Sequence, residues 1–154
     1  MNLEEKLKIK KFTSEWHKAT INIIITSNWL LLELEKRANK KDLTFQQFNV
    51  LRILKRQYPN PATNYMLKER LLTTTPDISR LVDRIVAKKL VSRCKNASDK
   101  RAVDLVITDL GLQLLEEIED DMMMVDLLSP NITEEECVQL HNMLYRFRGE
   151  TSIG

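Results

Sequence analysis

The chain has 154 residues, of which 43% are apolar and 30% charged, proportions typical of one soluble globular domain. Only three glycines occur, which argues against the glycine-rich loops that hold nucleotide phosphates. The chain has two cysteines that form no CxxC pair, and its N-terminus is charged, which predicts a cytoplasmic protein. It has no apolar run of about 20 residues, so no membrane segment is predicted.

Charge is distributed unevenly, although the formal net charge is only +2. Residues 40–108 carry 15 Lys and Arg against 6 Asp and Glu, whereas residues 109–154 carry 2 against 11. A basic middle segment predicts an anionic partner, of which nucleic acid is the usual one. The alternative is a solvated basic face that binds nothing.

The first half of the chain reads as helices. Residues 4–38 are predicted to form one long helix, and a domain this small leaves its wide apolar surface for a partner subunit to cover. Thr44 and Gln47 fit a capping box that starts a second helix, which ends before Pro59. A short helix over residues 63–71 follows.

The next segment predicts a helix-turn-helix. Thr75 is expected to cap a helix that has Pro76 at its first position. Four apolar residues recur at helical spacing and predict one buried stripe: Ile78, Leu81, Val82 and Ile85. Long polar side chains occupy the opposite face. A short turn between two such helices is the helix-turn-helix arrangement.

A β-hairpin is predicted directly afterwards, with strands over residues 91–95 and 103–107 and with Val103, Leu105 and Ile107 facing inward. Its tip is rich in cations. A helix of this size fits the major groove of B-DNA, and a basic hairpin reaches phosphates or the narrow minor groove. A helix-turn-helix followed by a basic hairpin is a winged helix.

The C-terminal part predicts two more helices. Thr108 is expected to cap a long helix that continues to about residue 128, before Pro130. Thr133 and Glu136 form a second capping box for the last helix. The expected inward stripe of that helix is Cys137, Leu140, Leu144 and Phe147. Methionines at 122–124 indicate either core or dimer packing, or the wall of a small-molecule pocket.

Residues 77–93 and 98–115 resemble the MarR family of bacterial winged-helix regulators. The resemblance rests on the wing pair Asp99 and Arg101, which lie two positions apart, and on the helix start Thr108–Gly111. It implies a fold class that is mainly α with a small β-hairpin wing. In this fold a winged helix-turn-helix DNA-binding domain is flanked by N- and C-terminal dimerisation helices.

The sequence departs from the family at Lys89, where the family usually has a glycine after the recognition helix. That residue is normally left-handed. Lys89 is therefore expected either to adopt a conformation strained by about 1 kcal/mol or to alter the turn.

The resemblance also implies how the whole chain is organised and what it binds. It implies a single MarR-type domain over residues 1–154, with dimerisation helices over 4–38 and 109–148 and the winged-helix part over 40–108. The expected partners are double-stranded DNA with a palindromic operator and a second copy of the chain. The expected function is repression, and the resemblance implies relief by a small phenolic or other lipophilic effector held between the dimerisation and DNA-binding regions.

Thirteen residues are expected to form the DNA-binding site: Thr74, Thr75, Asp77, Ser79, Arg80, Asp83, Arg84, Lys88, Arg93, Lys95, Asp99, Lys100 and Arg101. Within this set, Asp99 is expected to orient the Arg101 guanidinium through a charge-assisted hydrogen bond. Three residues are candidates for an effector pocket, with interface packing as the alternative: Trp16, His17 and Trp29.

No metal site, cofactor or enzymatic activity is predicted, because no nucleophile and base pair and no full ligand set is visible. The alternative function is that of a ligand- or protein-binding dimer that has this fold but binds no operator.

Overall fold

The computed structural model describes residues 1–151, which form eight helices and one two-stranded antiparallel sheet. In chain order the elements are α1 Leu3–Leu7, α2 Glu15–Asn39, α3 Phe45–Gln57, α4 Asn64–Arg70, α5 Ile78–Ala87, β1 Val91–Lys95, β2 Val103–Ile107, α6 Asp109–Met122, α7 Val125–Leu128 and α8 Glu134–Phe147. The predicted fold class, mainly helical with a hairpin wing, is confirmed. Residues 152–154 of the predicted domain lie outside the described residues.

Helix α3 forms the centre of the core, and most of its residues are buried. Side chains from α5, the hairpin and α6 belong to the same apolar cluster: Val82, Ile85, Leu105, Ile107, Leu115 and Ile118. Burying an aliphatic side chain of this size stabilises the fold by roughly 1.5–3 kcal/mol. Helix α5 and the hairpin are therefore anchored on one core.

The start of α5 differs from the prediction. The N-cap is Asp77, not Thr75, and Asp77 Oδ1 accepts the backbone N–H of Arg80 at 2.9 Å. An aspartate cap adds a negative charge at the positive end of the helix dipole. Pro76 consequently lies before the helix and not at its first position.

The predicted helix over 4–38 is wrong across residues 8–14. Helix α1 ends at Lys8, which has a left-handed conformation with φ of 54°, and α2 begins after its N-cap Ser14. The Ser14 hydroxyl accepts the backbone N–H of His17 at 3.2 Å. An ion pair of 2.6 Å between Lys18 and Glu4 holds the two helices together. Apolar spacing alone did not reveal the cap.

The predicted helix to residue 128 is wrong across residues 123 and 124. Met124 is left-handed, with φ of 63°, and separates α6 from α7. The break lies beside Arg37 of α2, which is 8% exposed. Arg37 donates to the Asp121 carbonyl oxygen at 2.7 Å and to both carboxylate oxygens of Asp126 at 2.7 and 2.8 Å. A buried guanidinium requires such partners.

The wing has the predicted strands, paired from Val91 with Ile107 to Lys95 with Val103. Backbone hydrogen bonds of 2.8 and 2.9 Å between Leu105 and Ala62 attach it to the loop before α4. Leu105 and Ile107 are buried as predicted, whereas Val103 is 36% exposed because it lies further out along the hairpin.

The turn after α5 contains a left-handed residue, although that residue is not a glycine. Lys89 has φ of 62°, and its carbonyl oxygen accepts the Thr108 hydroxyl at 2.8 Å. Gly111 packs closely beneath this turn, since a Cβ there would clash with the Leu90 carbonyl oxygen. Of the two alternatives expected for Lys89, the structure therefore has the strained, left-handed conformation.

Helix α8 is the least covered element, and none of its residues is buried within the chain. Of the stripe expected to face inward, Leu140 and Phe147 are 40% and 50% exposed, whereas Cys137 and Leu144 are half-buried. Among the helices of residues 1–151, none is long and apolar enough to cross a membrane.

Candidate nucleic-acid interface

The outward face of α5 is polar because Val82 and Ile85 turn the opposite face into the core. Arg80 and Arg84 lie one turn apart on the outward face, and both are exposed. Within residues 1–151 neither side chain forms an ion pair. Two adjacent guanidinium groups are therefore available to an anionic partner.

Asp83, on the same face, is paired with the wing. Its carboxylate forms an ion pair with Arg93 of β1, and both side chains are exposed. Nearby, Ser79 is within 3.5 Å of the Asn64 amide nitrogen of α4. The recognition helix is therefore connected both to the hairpin and to the first helix of the helix-turn-helix.

The tip of the wing presents Lys95, Lys100 and Arg101, all exposed. The expected role of Asp99 is wrong in its detail, since Asp99 Oδ1 accepts the backbone N–H of Arg101 at 2.9 Å and shapes the loop. No ion pair joins the two side chains in the part of the chain that the structure describes.

The acidic residues of this surface all have partners in the chain. Asp77 caps α5, Asp83 pairs with Arg93, and Asp99 accepts a backbone N–H. Their charges are therefore partly compensated internally. The surface formed by α5 and the wing, which we call the basic face, has an excess of exposed cations: Arg80, Arg84, Arg93, Lys95, Lys100 and Arg101.

Three other residues predicted for this site lie at its edges. Thr74 is exposed and Thr75 half-buried in the turn before α5. The ammonium of Lys88 does not extend beside Arg84, because it donates to the Asp42 carbonyl oxygen and to Gln47 Oε1, the latter at 2.9 Å. Lys88 thereby joins the end of α5 to the start of α3.

The fold is that of known winged-helix regulators. The structure is similar to a putative MarR-like transcription regulator from Bacillus cereus, with a TM-score of 0.74 and 19% identity over 86% of this chain and 94% of that one. It is also similar to a mutant MarR from E. coli complexed with operator DNA, with a TM-score of 0.73 and 23% identity over 95% and 98% of the two chains.

Sequence comparison agrees with these similarities. The HTH-type transcriptional regulator YpoP of Bacillus subtilis is 29% identical over 76 residues, which are 49% of this chain and 52% of that protein. The chain thus matches about half the length of this curated relative. A model of the MarR family matches residues 41–102, from the turn before α3 to the wing tip. Over this segment the chain is similar to the MarR family.

Of the three residues predicted for an effector pocket, Trp16 and His17 are adjacent on α2, and Trp29 lies further along the same helix. Trp16 is 82% exposed and lines a cleft against Phe147 of α8, while the His17 ring packs edge-on against Phe12 at 5.5 Å. Trp29 is 13 residues beyond Trp16 on the same helix, a separation of about 20 Å. A pocket shared by these three residues stays a prediction.

A cavity of about 600 Å³ lies instead between α2, α3 and the end of α6. Its apolar walls include Leu34, Phe45 and Phe48, together with Leu72 from the turn that leads to α5. Met122 and Met123 line it as well, but Met122 also belongs to the core and Met124 is buried, so the methionine run serves core packing as well as the cavity wall.

Sequence reasoning missed the charged side of this cavity, which Arg52 and Arg56 of α3 provide together with the Lys55–Glu119 ion pair of 2.8 Å. Arg52 Nε is buried and has no hydrogen-bond partner among the described residues. Burial, and then the nearby Arg56, lowers the pKa of the Arg52 guanidinium. The available signal was the helical spacing of Phe45, Phe48, Arg52 and Arg56 on one face of α3.

Proposed function

We propose that this protein is a sequence-specific, double-stranded DNA-binding transcription regulator that acts as a homodimeric repressor. The observation that carries the proposal is the basic face. Arg80 and Arg84 on α5 and the cations of the wing point outward, while the neighbouring carboxylates are engaged within the chain. Such a surface combines a helix that can read major-groove base edges with a hairpin that can contact the backbone or minor groove.

The similarity to a MarR structure that contains operator DNA supports the same proposal. Thr74 and Thr75, at the turn before α5, offer hydroxyl groups that suit phosphate oxygens. They are proposed as backbone contacts, which position the protein without reading sequence.

The proposed homodimer rests on apolar surface that this chain leaves uncovered on α2, α7 and α8. Side chains that are at least 40% exposed there include Trp16, Ile24, Trp29, Leu32, Val125, Val138, Leu140, Met143, Tyr145 and Phe147. Apolar surface of this extent is typical of obligate interfaces. A two-fold dimer would present two α5 helices to half-sites about 34–36 Å apart, which explains the expected palindrome.

Relief of repression by a small ligand is proposed at the cavity beside Arg52. Apolar walls beside a half-buried guanidinium, whose Nε has no partner among the described residues, suit an amphipathic organic anion whose carboxylate would pair with Arg52. The cavity is coupled to DNA binding through Leu72. The next residue, Thr73, accepts a 2.6 Å hydrogen bond from Gln46, so a ligand that displaces Leu72 moves the segment that leads to α5.

The test of the function is selection of a duplex from a random DNA pool, followed by titration in fluorescence anisotropy. We expect one palindromic sequence to be enriched and to bind at least about a thousandfold more tightly than random DNA. The double variant R80A/R84A should lose this preference while remaining folded. Absence of any enriched sequence would favour the alternative of a dimer that has this fold but binds no operator.

The effector site is tested with benzoate and with its uncharged methyl ester as the matched control. We expect benzoate to weaken binding of the selected duplex, and we expect the ester to have little effect. Arg52→Met should abolish the response to benzoate without changing DNA affinity in its absence. If benzoate weakens DNA binding of the Arg52→Met variant as much as that of the wild-type chain, the anion binds elsewhere.

A further inference from the structure

The tip of the wing is organised around the side chain of Asn96. Asn96 Oδ1 accepts the backbone N–H groups of Ser98 at 2.8 Å and of Asp99 at 2.9 Å. Its amide nitrogen donates to Asp104 Oδ1 of β2 at 2.8 Å. Asn96 is half-buried, while the tip residues from 97 to 101 are exposed.

Backbone contacts complete the loop that Asn96 begins. The Asn96 N–H donates to the Ala102 carbonyl oxygen at 3.2 Å, and the Ala102 N–H donates to the Asp99 carbonyl oxygen at 3.1 Å. Asp99 Oδ1 then accepts the N–H of Arg101. Two side chains, Asn96 and Asp99, therefore shape the whole tip, and Lys100 and Arg101 lie at its end.

We propose that Asn96 is the positioning residue of the wing, which fixes the loop from 96 to 102 in the conformation that presents Lys100 and Arg101 to DNA. The inference rests on the proposed function, because it assumes that the wing contacts DNA. A loop that is ordered before binding loses less conformational entropy when it meets the duplex. Asn96 itself contacts no DNA in this proposal and acts through the backbone.

The chemistry at this position requires an amide. An aspartate at position 96 accepts the two N–H groups equally well but places its carboxylate against that of Asp104. Alanine loses all three hydrogen bonds. An exchange of the two residues, with Asp at 96 and Asn at 104, restores a donor and an acceptor at the same place and leaves the net charge unchanged.

That exchange defines the experiment, which compares N96D, D104N and N96D/D104N with the wild-type chain. Ala97→Asp is the matched control, since Ala97 is exposed and its substitution adds the same negative charge. The order of the tip is measured in the protein without DNA, from the hydrogen-exchange rates of the Ser98 and Asp99 backbone amides by NMR. DNA binding is measured by anisotropy with the selected duplex and with a random 30-base-pair duplex, at several salt concentrations.

We expect N96D to accelerate exchange of both amides and to weaken binding of either duplex by about tenfold. N96D/D104N should recover wild-type exchange and affinity within about twofold, and Ala97→Asp should weaken binding by only about two- to threefold without faster exchange. Failure of the double variant to recover, or an equal effect of Ala97→Asp, would overturn the inference.

Arg101→Ala separates this inference from the proposed function. If Arg101→Ala weakens binding and N96D does not, the wing binds DNA but Asn96 does not position it. If the wild-type chain binds neither duplex, the proposed function and the role of Asn96 in DNA binding both fail. Unchanged thermal unfolding midpoints are required of every variant, so that loss of binding reports on the tip.

Discussion

The carboxylate of Asp83 on the recognition helix is paired with the guanidinium of Arg93 on the first strand of the wing. The two residues belong to the two elements that are proposed to contact DNA, and the turn between those elements contains the left-handed Lys89. The side chains are 60% and 47% exposed, so the pair contributes little to stability. The pair does connect the helix and the wing directly, at the face that is proposed to contact DNA.

Asp83→Asn is therefore expected to lower the free energy of unfolding by less than about 1 kcal/mol and yet to weaken DNA binding. The weakening would occur although the variant is more positive, because Arg93 no longer holds the wing to α5. Urea unfolding and anisotropy titration measure the two effects. Glu116→Gln is the control, since it removes one exposed negative charge outside the basic face. Tighter binding by Asp83→Asn would indicate that net charge governs the interface.

Arg80→Ala and Arg84→Ala are expected to distinguish base reading from phosphate contact. Loss of a base-reading arginine costs about 1–3 kcal/mol and relaxes sequence preference, whereas loss of a phosphate contact weakens all duplexes alike. Competition titrations with the selected and random duplexes separate these outcomes. Lys36→Ala, an exposed position on α2, should leave both affinities unchanged. Full affinity in both arginine variants would place another face of the protein against DNA.

Static light scattering at micromolar concentration is expected to give about twice the 18.0 kDa chain mass. Leu140→Asp should shift the mass towards that of one chain while the helix content in circular dichroism persists, because α8 has no buried residue within the chain. Gln139→Asp adds the same charge on the same helix and should leave the dimer intact. A stable wild-type monomer would contradict the dimer and the palindromic operator.

The contact between Arg37 and Asp126 should make part of the stability depend on pH. The hydrogen bond from Arg37, with the charge of that guanidinium, lowers the pKa of the Asp126 carboxyl. Because the folded pKa lies below the unfolded one of about 3.9, this stabilisation is present above pH 4 and lost as the pH falls through the folded pKa. Asp126→Asn should therefore destabilise the protein more at pH 7 than at pH 3.

Urea unfolding of wild-type, Asp126→Asn and Asp120→Asn proteins at both pH values measures this effect. Asp120 is exposed and forms no ion pair within residues 1–151, so its substitution should change little at either pH. If Asp126→Asn lowers the free energy of unfolding equally at pH 3 and pH 7, the Asp126 side chain stabilises the fold through hydrogen bonds that do not need its charge.

Lys89→Gly is expected to stabilise the chain by up to about 1 kcal/mol, because glycine adopts φ of +62° without a Cβ penalty. Lys89→Ala keeps the Cβ and should bring no such gain, which makes it the matched control. The midpoints of urea unfolding report both. Destabilisation by Lys89→Gly would mean that the lysine side chain, and not only the backbone, contributes to this turn.

The sequence by itself determined the elements whose signals are local. The capping boxes of Thr44 and Thr133 start α3 and α8 where they were predicted, because each cap satisfies hydrogen bonds within three residues. The two strands of the wing also match, since alternation and the turn residues between them are contained in one short segment. Together with the apolar stripe of α5, these local signals were enough to predict the winged helix.

Tertiary structure decided the features that depend on residues far apart in the chain. Helix α6 breaks at Met124 beside Arg37, whose carboxylate partners lie 84 and 89 residues further along. Lys88 has its partners 41 and 46 residues away, which removed it from the arginines of the basic face. The cavity beside Arg52 exists only because α2, α3, α6 and the turn before α5 meet there. Helical spacing places side chains on faces, but packing alone determines which faces meet.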